Sequence, residues 1–142
     1  MEIYLVRHTE TVCEKGICYG QSDVGIRAPY DTIFESILEQ LPEQGILYTS
    51  PLQRCSILAQ HIQEAKGIPI VAEEPRLKEM HFGDWEALST QVIYENEPEL
   101  LANFWQQPTV FTPPNAENMQ NFHQRITKSM INMQQQMLAN GW

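Results

Sequence analysis

Apolar positions along the chain follow two patterns: short unbroken runs, and stripes spaced three or four residues apart. Ile3 to Val6 and Gly45-Ile46-Leu47-Tyr48-Thr49 are unbroken runs, as expected of strands covered on both faces by helices. Between them Tyr30, Ile33, Phe34, Ile37, Leu38 and Leu41 recur on one helical face, with Pro29 suited to the first turn. Ser50 and Pro51 then read as the cap and first position of a second helix, striped by Leu58, Ala59, Ile62 and Ala65. Past Gly67, Ile68 to Val71 suits a short strand. Leu88 to Tyr94 and Pro98 to Trp105 read as two short helices. Pro108 to Pro114 is a loop, because Pro113-Pro114 cannot continue regular structure. Met119, Phe122, Ile126, Met133 and Met137 mark a long final helix whose methionines suit an irregular core. Strand, helix, strand, helix in this order predicts an α/β three-layer sandwich with a mostly parallel central sheet flanked by helices. With no repeat, low-complexity stretch or linker, residues 1–142 read as one domain.

Composition narrows the function. The 142 residues are 42% hydrophobic and 19% charged, which fits a globular chain and excludes a disordered one. A net charge of -9 with no Lys/Arg run argues against nucleic acid or an anionic membrane as partner, since both are polyanions. Cys13, Cys18 and Cys55 are odd in number and form no C-x-x-C pair, which suits a reducing cytoplasm better than a disulfide framework. No signal-peptide pattern or membrane-length apolar stretch is present.

Three segments carry candidate chemistry. Leu5-Val6-Arg7-His8-Thr9-Glu10-Thr11 follows the first strand, and strand ends are where α/β sheets bind ligands. Tyr48-Thr49-Ser50-Pro51-Leu52-Gln53-Arg54 puts Arg54 in the first turn of a helix, where free N–H groups favour an anion. Leu77 to Glu86 sets the carboxylate of Glu79 among Phe82, Trp85 and other apolar residues. Singly, each has an ordinary reading: a capped strand end, a solvated helix arginine, a surface carboxylate near a turn.

Together and in this order, the segments resemble the histidine phosphatase superfamily, the phosphoglycerate-mutase-like fold. Arg7-His8 matches its Arg-His pair, Ser50-Pro51-Leu52-x-Arg54 its S-P-L-x-R segment, and Leu77-x-Glu79-x-x-Phe82-Gly83-x-Trp85-Glu86 the segment carrying its acid. Pro114-Asn115-Ala116-Glu117-Asn118 looks like a worn form of its P-G-G-E-S loop, with Phe122 and Arg125 beyond. The resemblance covers essentially the whole chain. Thr9 in place of the usual Gly, the Gly16 to Val24 segment and Glu79 to Glu86 look like the α-ribazole phosphatases of cobalamin nucleotide-loop assembly. A mutase would be expected to show Trp-Asn where Cys13 and Glu14 stand.

The resemblance implies a phosphomonoesterase in which His8 becomes a phosphohistidine. Arg7 and Arg54 would grip the phosphate, with Thr9 and Gln21 also at the substrate. Glu79 would be the general acid and base, its pKa raised through desolvation by Phe82 and Trp85. The implied substrate is a small phosphate ester, with α-ribazole 5′-phosphate foremost. A broad-specificity phosphatase, a phosphoglycerate mutase and an inactive phosphate-binding remnant are the rivals. No metal or other cofactor is implied: His61, His81 and His123 have no ligand spacing.

Two departures from the family pattern stand out. A second His, in an H-G segment ending a later strand, is missing, because the sequence stops at Asn140-Gly141-Trp142. The chain is therefore expected to lack a C-terminal strand-helix portion, at a cost of about 10²–10³ in turnover. Strand edges left bare by that loss invite homo-oligomers. Glu14 is the other departure, a carboxylate where many members carry a phosphate-facing Asn. Either its loop points elsewhere or the pocket is weakened.

Overall fold

The computed structural model describes all residues from Met1 to Trp142. Helix α1 (Asp31–Gln40) leads to strand β1 (Leu47–Thr49), helix α2 (Gln53–Lys66) and strand β2 (Ile70–Glu73). Two 3₁₀ turns, Pro75–Leu77 and Gly83–Trp85, precede helices α3 (Thr90–Asn96), α4 (Pro98–Gln106) and α5 (Met119–Ala139). β1 and β2 pair in parallel across α2, with a bulge between Leu47 and Tyr48. This is a β-α-β crossover, in which the intervening helix covers the sheet.

Local sequence explains most of these boundaries. The Ser89 hydroxyl accepts from Val92 N–H and caps α3, Pro98 opens α4, and the Asn118 side chain accepts from Asn121 N–H to cap α5. Gly67 closes α2 in the left-handed region at φ 68°, where a side chain would be strained. The start of α2 differs from expectation. Ser50 and Pro51 precede the helix, Leu52 is its N-cap, and the Asp23 carboxylate accepts the Gln53 N–H at 2.8 Å. A cap 30 residues away leaves no local trace. The second strand lies at Ile70–Glu73, not Ile68 to Val71. Ile68 instead turns its side chain into the core, and the Pro69 carbonyl accepts the Leu47 N–H at 2.9 Å.

The larger correction is at the N-terminus. Ile3, Tyr4, Leu5 and Val6 form no strand, make no backbone hydrogen bond, and are exposed, Leu5 at 83%. A strand exists only through a partner edge, and β1 gives one edge to β2 while nothing pairs with the other. The space between holds a cavity of about 690 Å³, lined by Met1 to His8, by β1 and α2, and by Met130, Met133 and Met137 of α5.

The core is divided accordingly. One cluster joins Phe34 of α1 to Leu58 and Ile62 of α2 and to Ile68. The other packs Met80, Trp85, Ile93, Leu101 and Phe104, with Trp85 and Phe104 edge-to-face at 5.8 Å. No helix is long and apolar enough to cross a membrane.

Candidate active site

His8 ends the unpaired N-terminal segment and is half-buried. Its Nδ1 lies 2.7 Å from the carbonyl oxygen of Thr9. A carbonyl can only accept, so Nδ1 carries a hydrogen, and in the neutral ring the lone pair is on Nε2. His8 and exposed Arg7 line both the 690 Å³ cavity and a second one of about 460 Å³ built from the stretch Arg7 to Tyr19. Thr9 lines the smaller cavity. It is buried, and its hydroxyl has no hydrogen-bond partner.

Arg54 sits in the first turn of α2, only 2% exposed. Its guanidinium donates to the carbonyls of Ser22, at 2.9 Å, and Gly20. It also lies 5.1 Å from the centre of the Tyr19 ring, within cation–π range. Three of its five N–H groups remain uncommitted. Arg54 lines neither cavity, and reaches the smaller one only through Tyr19, which does. The loop from Gly16 to Val24 is thus tied to the head of α2 by Asp23 and Arg54 together.

Glu79 is exposed, and its Oε1 accepts the Met80 N–H at 2.8 Å. The desolvation expected from Phe82 and Trp85 is not there. Trp85 is buried against Met80, Ile93, Leu101 and Phe104 and donates its indole N–H to Glu97 at 2.9 Å, and Phe82 packs edge-on against Phe104. The reason is register: the 3₁₀ turn at Gly83–Trp85 points both rings into the core while Glu79 stays outside it.

Cys55 follows Arg54 in α2 and is partly buried. Burial pushes its thiol pKa up, Arg54 and a hydrogen bond with Ser50 pull it down, and the charge of Glu79 raises it. Cys55 and Ser50 line the same 690 Å³ cavity as His8. Arg54 and Glu79 line neither cavity, and no hydrogen bond joins Arg54, Glu79 and His8. Gln21 donates its side-chain amide to the Glu79 carbonyl at 3.1 Å.

Two supporting groups had no role assigned from the sequence. Arg125 of α5 donates to the carbonyls of Arg76 at 2.7 Å, Lys78 at 2.8 Å and Glu79 at 3.2 Å, and forks onto Glu117 at 2.8 and 2.9 Å. That pairing holds the Glu117 carboxyl below the usual carboxylate range. Glu86 accepts N–H groups from Gly20, Gln21 and Phe82 and the hydroxyl of Ser22. Burial pushes its carboxyl up, but these donors outweigh it and hold the group below its ordinary value. Both residues lie in segments already singled out. Nothing in the linear order says which carbonyls and N–H groups they would meet.

Glu14 lines the smaller cavity together with Lys15. His8 lines the same cavity. His61 packs 5.0 Å from the Phe34 ring, and the His81 ring accepts the Gly83 N–H.

Known proteins share this fold. The fold matches Bacillus stearothermophilus YhfR with a TM-score of 0.80 and 26% identity, over 89% of this chain and 64% of that one. It matches an alpha-ribazole phosphatase from Shigella flexneri with a TM-score of 0.81 and 22% identity, over 93% of this chain and 66% of that one. A putative phosphoserine phosphatase 2 of Hydrogenobacter thermophilus is 31% identical over 128 residues, 87% of this chain. The chain spans 62% of the length of that relative. Residues 3–139 match the sequence pattern of the histidine phosphatase superfamily (branch 1), so the chain belongs to that superfamily and carries its α/β, phosphoglycerate-mutase-like fold.

Proposed function

We propose that the chain is the phosphohistidine-forming part of a phosphomonoesterase. The observation that carries this reading is the Nδ1 of His8 held 2.7 Å from the Thr9 carbonyl, which in the neutral ring leaves Nε2 free to act as a nucleophile on a residue that lines both cavities. In the first step Nε2 attacks phosphorus, the P–O bond to the alcohol breaks, and Glu79 gives its proton to the departing oxygen. In the second, water attacks the phosphohistidine, Glu79 takes a proton from it, and inorganic phosphate leaves. Arg7 and the uncommitted N–H groups of Arg54 offset charge on the transferring phosphoryl group. Thr9 offers its unpartnered hydroxyl, and Gln21 holds the Glu79 segment.

Two substrate readings follow. The Gly16 to Val24 and Glu79 to Glu86 segments favour α-ribazole 5′-phosphate. The placement of Glu14 in the His8 cavity favours a phosphate ester that also carries a positive charge, and a relative named as a phosphoserine phosphatase fits that chemistry. The soluble, metabolite-facing chemistry of either substrate suits the cytoplasm.

The test is phosphate release from p-nitrophenyl phosphate, α-ribazole 5′-phosphate and O-phosphoserine, with His8→Ala as control. Turnover that disappears in the control supports the phosphohistidine route, and the ranking of the two natural esters selects the substrate. Stimulation by a bisphosphoglycerate would instead indicate a mutase. Phosphate binding with no turnover above the control would identify a remnant that binds without reacting.

A further inference from the structure

We propose that Glu14 selects phosphate esters that carry an ammonium group close to the phosphate. This deepens the phosphomonoesterase reading and rests on it for the position of the phosphate. The cavity of about 460 Å³ is built almost entirely by one stretch, Arg7 to Gly16 with Ile17 and Tyr19. Its size suits a small metabolite. On that reading the phosphate sits against Arg7 and His8, which line this cavity together with Thr9.

Two carboxylates line the same space. Glu10 is answered by Arg27 at 3.5 Å, whereas the Glu14 carboxylate makes no hydrogen bond and no ion pair. A dianionic monoester entering beside that unanswered charge is repelled, and the overall charge of -9 adds to the repulsion. An ammonium on the same ligand reverses the sign of the local contact and reduces the ligand's net charge. Lys15, on the same wall, supplies a cation for a carboxylate. Phosphate, ammonium and carboxylate on one small ligand, as in an O-phosphorylated amino acid, would then each face a group of opposite charge.

Binding to the intact chain tests this without requiring turnover. Titration calorimetry at low salt compares O-phosphoethanolamine with ethyl phosphate, ligands of similar size that differ in the ammonium. The wild-type chain should bind the ammonium ligand about fivefold more tightly. Glu14→Gln should bring the ratio near one, weakening the first ligand and tightening the second. Because Glu14 is exposed, 0.5 M salt should reduce the wild-type preference as well. Equal affinities in the wild type, a ratio that survives Glu14→Gln, or binding of neither ligand overturns the assignment. Phosphate release is read separately. A Glu14-dependent ratio without His8-dependent turnover would sink the phosphatase reading alone, and the reverse would sink only the role of Glu14.

Discussion

Glu86 accepts the hydroxyl of Ser22 at 2.6 Å, and the same carboxylate gathers the N–H groups of Gly20 at 2.9 Å, Gln21 at 2.8 Å and Phe82 at 3.1 Å. One side chain thus fixes the loop of Gly20, Gln21 and Ser22 to the segment that bears Glu79. Replacing it with alanine leaves the N–H groups of Gly20, Gln21, Ser22 and Phe82 without that acceptor, which costs roughly 2 kcal/mol where water reaches them poorly. Urea denaturation of Glu86→Ala should show a lower midpoint with an unchanged slope. An unchanged midpoint would mean the carboxylate does not hold this junction.

Glu86 and Glu117 both have carboxyl pKa values below the ordinary 4.5, and this sets the sign of an acid effect. A lowered folded value means the ionised form is favoured by folding, so the stabilisation is complete above the ordinary value. It is lost as pH falls through 4.5 and on through the folded values. Thermal unfolding should therefore be nearly independent of these groups between pH 7 and 5 and fall steeply below pH 4.5. Glu86→Gln should flatten that acid limb, and an identical limb in the variant would remove Glu86 as its source.

Gly20 leaves no room for a side chain. A Cβ there would overlap the Met80 carbonyl oxygen and come within 2.6 Å of the Phe82 ring and 2.8 Å of the Glu86 carboxylate. Its N–H is bound to Glu86 and its carbonyl to Arg54, so the backbone is restrained on both sides. Gly20→Ala should cost about 1–3 kcal/mol through overpacking. Amide exchange at Gln21 should quicken, and a variant as stable as wild type would show that the loop can move aside.

Arg125 reaches Glu79 only through the backbone carbonyl, at 3.2 Å. In the proposed mechanism it would position the acid, and a lysine cannot reproduce its fork onto Glu117 and three carbonyls at once. In an active phosphatase, Arg125→Lys should lower kcat about tenfold on p-nitrophenyl phosphate with KM little changed. A rise in KM alone would show that Arg125 acts on substrate binding and not through Glu79.

Exposed Ile3, Tyr4, Leu5 and Val6 carry free backbone donors and acceptors beside an apolar cavity. With the unpaired edge of β1 nearby, we expect this face to pair with a second copy. Sedimentation should show association that grows with concentration and weakens in Leu5→Lys. A strictly monomeric wild type would remove this edge as an interface.

The fold was legible where the determining contacts are close in the chain. The stripe Tyr30 to Leu41 gives α1, Pro98 opens α4, and Met119 to Met137 runs along α5, because helix hydrogen bonds join residues four apart. The order of Arg7-His8, Arg54 and Glu79 was likewise readable, since a motif is a matter of residue type and spacing. The apolar run Ile3 to Val6 misled because β-pairing needs an edge that no local sequence supplies.

By itself the sequence determined the helices, the superfamily, and which side chains are candidates for phosphate chemistry. Only the tertiary structure decided their company. It placed Asp23 on the head of α2, Gly20 and Ser22 against Arg54, Glu14 beside His8, and Phe82 and Trp85 in the core away from Glu79. These contacts span tens of residues, and their partners are chosen by how the loops pack. A hydrogen bond acts over about 3 Å of space, and along the chain nothing marks which distant group will come that near.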